Sequence, residues 1–121
     1  MSEAARLWTG VLGPPLLWFA HLDITYALHA TACDAKNTLA LWITTLVLAA
    51  IVAVIGWMSL AMWRLNPDPH PTGAAGAAEG EELRSKGRAR FMSALGFGFA
   101  CLFGLMILAH VIPMLVLRPC D

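Results

Sequence analysis

Four ionisable side chains, His21, Asp23, Tyr26 and His29, interrupt an otherwise apolar run, LGPPLLWFAHLDITYALHATAC, that extends from Leu12 to Cys33. Another, His110, stands in an apolar run near the end of the chain. These types could support three chemistries. Two histidines on different helices could hold haem iron axially. Histidine, cysteine and aspartate gathered at one surface could hold copper or another transition metal. An Asp–Tyr–His row at membrane depth could pass protons, or small solutes if several copies assembled around it. The plainer use of the same side chains is hydrogen bonding between helices or subunits. At about 100° per residue, Trp18, His21, Thr25 and His29 share one side of a helix, with Tyr26 next to them and Asp23 further round. Leu17, Ala20, Ile24 and Leu28 form the opposite, lipid-compatible side.

The elements that must carry these residues are membrane helices. The chain has 121 residues, 59% hydrophobic and 13% charged, which describes one small membrane domain rather than a soluble one. We expect an all-α, integral membrane three-helix bundle with spans at about 12–32, 39–63 and 91–117. Pro14 and Pro15 suit a first helical turn and mark the start of the first span. Ala30-Thr31-Ala32-Cys33 has the form of a signal-peptide or lipoprotein cleavage site, but His21 and Asp23 break the apolar region such a signal requires.

Asp34-Ala35-Lys36-Asn37 reads as a tight turn, with Thr38 as N-cap of the second span. That span is free of charge from Leu39 to Trp63 and reads as scaffold, with a narrow strip at Ala49, Ala53 and Gly56. The segment 64–90 is a connection. The prolines at 67, 69 and 71 exclude helix, Gly73 to Gly80 reads as linker, and Glu79, Glu81 and Glu82 precede Arg84, Lys86, Arg88 and Arg90 in a helical lead into the third span. In the third span Gly96, Ala100 and Gly104 make a small-residue face for helix packing, and Pro113 should kink the helix and free the carbonyl of Ala109.

Charge placement orients the bundle. Five of the eight basic residues lie in 64–90 and Arg6 precedes the first span, so the N-terminus and the long connection belong in the cytoplasm and the C-terminus in the periplasm. Cys33 and Cys120 then emerge on the same outer, oxidising face, where a disulfide between them would clamp the first and third helices. Cys101, inside the third span, is expected to be a small core residue. The net charge is zero, and the run Arg84 to Arg90 is explained by anionic lipid and topology, so nucleic acid is not an expected partner. The chain has no Gly-rich phosphate loop, no H-E-x-x-H and no C-x-x-C, so a non-enzymatic role without a resident cofactor is expected, haem or copper being the alternative.

The beginning GPPLLWFAHLDITYAL and the end RFMSALGFGFACLFGLMILAHVIPMLVLRPC resemble a family of small three-span proteins of proteobacteria encoded beside haem–copper cytochrome c oxidase subunits. The likeness rests on Gly13, Pro14, Trp18, His21, Tyr26 and Cys33, and on the Ile112-Pro113 and Pro119-Cys120 endings. It implies a bacterial inner-membrane protein in a respiratory-chain setting, accessory to or assembling a terminal oxidase. Its partners would be the lipid bilayer and other membrane subunits.

Overall fold

The computed structural model describes residues 2–35, 37–66 and 77–116, with side chains from residue 80 onward in the last stretch. Lys36, the proline-rich segment from Pro67 to Pro71, Leu117, Arg118, Pro119 and Cys120 lie outside the described residues, as does the side chain of Glu79. Uninterrupted apolar sequence favours helix, in which each backbone N–H and C=O is satisfied within its own segment. The described residues are accordingly all-helical, with no strand among them: α1 (Glu3–Ala35), α2 (Leu39–Leu65), α3 (Ala77–Ala109) and the short α4 (Val111–Val116).

Helix α1 does not begin at Pro14. It starts at Glu3 and runs through both prolines. Ala4, Ala5, Arg6 and Leu7 are good helix formers, and they propagate into the prolines rather than stopping short of them. The cost is two backbone bonds, since Pro14 and Pro15 cannot donate to the carbonyls of Gly10 and Val11. At the first of these, α3 comes close: a methyl group placed on Gly96 would lie 3.0 Å from the Gly10 carbonyl oxygen. Ser59 of α2 completes this junction, its Oγ lying 2.7 Å from where a Gly10 Cβ would stand.

The three long helices each pack against the other two. Gly10, Ser59 and Gly96 meet at one level, and His21, Thr45 and His110 meet at another. Residue numbers rise between those levels in α1 and α3 and fall in α2, so α1 and α3 run together and α2 runs against them. Between the levels lies a thin apolar core of Val52, Ala100 and Ile107, with Leu17, Trp18 and Ala49 packed on it. Leu17 is thus a core contact and not part of a lipid-compatible face, because α2 and α3 cover more of α1 than its polar stripe alone would require.

The small-residue face of α3 is used inside the chain. Gly96 meets Gly10, a Cβ on Gly56 would come within 2.8 Å of Ala100, and one on Gly104 within 3.5 Å of Val52. Of the strip on α2, Gly56 is buried and Ala49 packs on the core, while Ala53 is exposed. Cys101 is free and exposed, lining a groove between α2 and α3 with Val52 and Gly104, rather than the small core residue expected.

The N-cap of α2 also differs from expectation. Thr38 makes no side-chain capping bond; the Asn37 carboxamide oxygen accepts from the Leu39 amide at 2.9 Å. The segment 64–90 is shorter as a connection than its sequence indicates, since α2 reaches Leu65 and α3 already begins at Ala77. Near this end, the Arg90 guanidinium lies 5.1 Å from the centre of the Trp63 ring and donates to the Asn66 carbonyl at 2.9 Å. Lys86 pairs with Glu82 one turn earlier at 2.7 Å, and the hydrogen bond and the ammonium charge hold the Glu82 carboxyl below its usual value. This pair supports the exposed first turns of α3 above the ordinary carboxylate range and loses that contribution as pH falls through the lowered value.

Among the described residues, helix α2 and the stretch Gly80–Val116 are the two helical segments long and apolar enough to cross a membrane. Helix α1 is not one of them, although its 33 residues would extend about 50 Å. His21, Asp23 and His29 dilute its apolar run, so it draws on its packing against the other two as well as on its own hydropathy.

Candidate functional site

The site begins with a break in the last helix. Pro113 has no N–H to offer the carbonyl of Ala109, and its ring crowds the preceding turn. The helix gives way one residue later, at His110, and resumes at Val111. There the His110 amide turns to the carbonyl of Ile107, at 3.2 Å, instead of the carbonyl of Met106 four residues back. Met106 is left with an open acceptor, and the His110 imidazole takes it through Nδ1 at 3.1 Å. A carbonyl only accepts, so Nδ1 carries the proton, and in neutral imidazole Nε2 is then a bare lone pair. The expected kink therefore has a second effect: it selects the tautomer of the histidine beside it.

His21 reaches the complementary state from the other side. It is completely buried, and its Nε2 lies 3.1 Å from Thr45 Oγ1. The Thr45 hydroxyl has one proton, which it donates to the Leu41 carbonyl at 2.9 Å. Thr45 must therefore accept from His21, which places the imidazole proton on Nε2 and leaves Nδ1 bare. Among the described residues no hydrogen-bond partner reaches that Nδ1. The two imidazoles are in contact, ring centres 5.2 Å apart and nearly perpendicular. Trp18, one turn below His21, packs edge-on to Phe19 and against Phe103, and its buried Nε1–H is likewise without an acceptor.

The other expected members of the seam do not join this pair. Asp23, Tyr26 and His29 are exposed, and no hydrogen bond holds them among the described residues. They line a cleft of about 540 Å³ with Leu22, Thr25, Leu41, His110, Pro113 and Met114. Thr25 turns its hydroxyl back onto the carbonyls of His21 and Leu22, so it is spent locally rather than offered to the cleft. His110 links the two zones: it touches His21 on one side and forms cleft wall on the other. Its level is that of His21.

Thr45 is the functional-site residue that sequence reasoning passed over. Leu41, Thr45, Val52, Gly56 and Ser59 are the buried positions of α2. They recur at helical spacing, so a hydroxyl falling on the same face as small and apolar residues was the available signal. Among the described residues, no group of three or more His, Cys, Asp or Glu side chains converges as a metal site would require. Imidazoles on opposite sides of a haem iron, with each Fe–N bond near 2 Å, would have centres about 6 Å apart, so the contacting pair as placed holds no porphyrin between its rings. Cys33 is not free, and Cys120, its expected partner, lies outside the described residues, so no complete disulfide stands among them.

Comparison with family models, with curated proteins and with solved structures finds no match to this chain.

Proposed function

We propose that the chain is a three-span protein of a bacterial inner membrane that serves as a non-catalytic accessory or assembly subunit of a respiratory terminal oxidase. Its N-terminus and the 64–90 connection lie in the cytoplasm and its C-terminus lies outside. The membrane part is supported by where the apolar surface faces. In the most apolar windows of the two spanning helices only 28% and 11% of residues are buried within the chain. The core helix of a soluble protein hides its apolar face, whereas these helices present theirs outward, to lipid. The orientation is supported by Arg6, Arg64 and Arg84–Arg90, which gather at the end marked by Gly10, Ser59 and Gly96.

The observation that carries the accessory reading is the exposure of Asp23, Tyr26 and His29 within the first span. Tyr26 is 87% exposed. Polar groups at membrane depth are expensive in lipid and are found facing protein or water, so a neighbouring subunit seated over this cleft would satisfy what the chain itself does not. The terminal oxidase as that neighbour rests on the family resemblance of the first and third spans.

Reporter fusions at Met1 and Asp121 test the topology: cytoplasmic signal from the first and external signal from the second are expected, and one shared compartment overturns it. For the partner, mild-detergent purification of the tagged chain should recover oxidase subunits in stoichiometric amount, and Asp23→Leu with Tyr26→Leu should release them. A chain that purifies alone, or a stoichiometric Soret band in its own spectrum, defeats the accessory role.

A further inference from the structure

The two facing histidines make an arrangement that interhelical hydrogen bonding leaves unexplained. Each ring donates its one proton to a protein oxygen, Thr45 Oγ1 for His21 and the Met106 carbonyl for His110. Each therefore keeps one bare lone pair, and the rings that carry them touch. A histidine whose second nitrogen is anchored on a protein oxygen is the form in which imidazole ligates metals, because the anchor fixes both tautomer and ring orientation. Here both rings have that form. The buried Nδ1 of His21, with no partner, is the independent sign that something belongs there.

We propose that His21 Nδ1 and His110 Nε2 bind one Cu(I) ion, with the thioether of Met114 from the adjoining cleft wall as third donor. Two imidazoles on one ion, at about 2 Å per nitrogen and a bond angle between tetrahedral and trigonal, bring their centres roughly 5 to 5.5 Å apart. The observed separation is 5.2 Å. The donor set selects the ion. Imidazole and thioether are the ligands of copper and other soft cations, while magnesium, calcium and manganese take oxygen. Zinc takes at least three His, Cys, Asp or Glu ligands, and no group of three converges among the described residues. Cu(I) is content with three neutral donors and brings a single charge into apolar surroundings. Met114 lines the same cleft as His110, one helical turn along the chain. This site is independent of the proposed oxidase partner, since it belongs to the isolated chain.

One other occupant would quiet the same atoms. A water accepting from Trp18 Nε1–H and donating to His21 Nδ1 satisfies both orphans, but leaves unexplained the second bare imidazole nitrogen beside them.

The two readings separate on metal binding by the full-length chain in detergent, reduced and anaerobic, titrated with Cu(I) against a chromogenic Cu(I) chelator. One ion per chain is expected, with nitrogen and sulfur neighbours in X-ray absorption and with Zn(II) competing poorly. Because His21→Ala empties a buried position, the decisive variant is His110→Ala, at a half-buried one; it should weaken binding at least about 100-fold. Thr45→Val keeps the shape but removes the anchor, and should weaken binding about 10- to 100-fold. Cys101→Ser, at an exposed thiol outside this cleft, should leave it unchanged. No bound copper, or binding equal in the His110→Ala variant and the parent while both remain folded, overturns the site and leaves the water in its place. Neither outcome bears on which subunits co-purify.

Discussion

At residue 96 a hydrogen atom stands where any other amino acid has a carbon, and two helices meet across it. A Cβ there would lie 2.9 Å from the carbonyl carbon of Gly10 and 3.0 Å from its oxygen, both backbone atoms that cannot swing aside. The neighbouring small positions are less demanding. At Gly104 the nearest atom is a Val52 methyl at ordinary contact distance, 3.5 Å, and at Gly98 nothing lies within 4 Å. Gly96→Ala should therefore destabilise by about 1–3 kcal/mol, in the range of other overpacked sites. Gly104→Ala should cost much less, and Gly98→Ala should be close to neutral. Unfolding in detergent, followed by circular dichroism across the three variants, checks the order; equal effects at all three would show that α1 and α3 are not in backbone contact. The four-residue spacing of Gly96, Ala100 and Gly104 made a packing face legible, but not which position is obligatory. That depends on Pro14, more than eighty residues away in the chain, which frees the carbonyl that Gly96 receives.

At the level of the helix, one proline does two jobs. Pro113 breaks α3 from α4, and the break hands the Met106 carbonyl from a backbone amide to the His110 side chain. Pro113→Ala restores a donor to the Ala109 carbonyl and should fuse the two helices. The His110 amide then returns to Met106, the imidazole loses its anchor, and the population with the proton on Nδ1 should fall. Nitrogen-15 spectra of labelled histidine report this directly: parent His110 should show a protonated Nδ1 and the variant a mixed or Nε2-protonated ring, with His21 unchanged. An unaltered His110 spectrum would mean that the break does not set the tautomer. The kink was legible from the proline itself. Its consequence for His110 was not, since it needs to be known which carbonyl each amide abandons. The same limit applied to the start of α1: the prolines read as a beginning, yet a helix already under way from Glu3 absorbs them because α2 and α3 support it from outside.

For the molecule as a whole, the three long helices share a small core of Val52, Ala100 and Ile107, and many large apolar side chains face outward, where the proposed bilayer would cover them. Cys33 closes α1 near the outer end of the proposed topology and is not free. A proposed bond to Cys120 would tie that end to the tail of the chain. Cys33→Ser should then lower the thermal midpoint under oxidising conditions, by the equivalent of about 2–4 kcal/mol, and leave it unchanged with reductant. Parent and variant melting together without reductant would remove the clamp.

Composition and periodicity alone indicated a helical chain, a basic end, a histidine-bearing first helix and three crossings, of which the structure supports two stretches long and apolar enough to cross a bilayer. Each of these follows from side-chain solubility and local backbone geometry, which are properties of short segments. Which polar residues meet was decided only in three dimensions. His21 turns inward to Thr45 and His110, while Asp23, Tyr26 and His29, its neighbours on the same helix, face a cleft. The physical reason is that a helix presents every side of itself, and its sequence does not say from which directions the other two helices will approach.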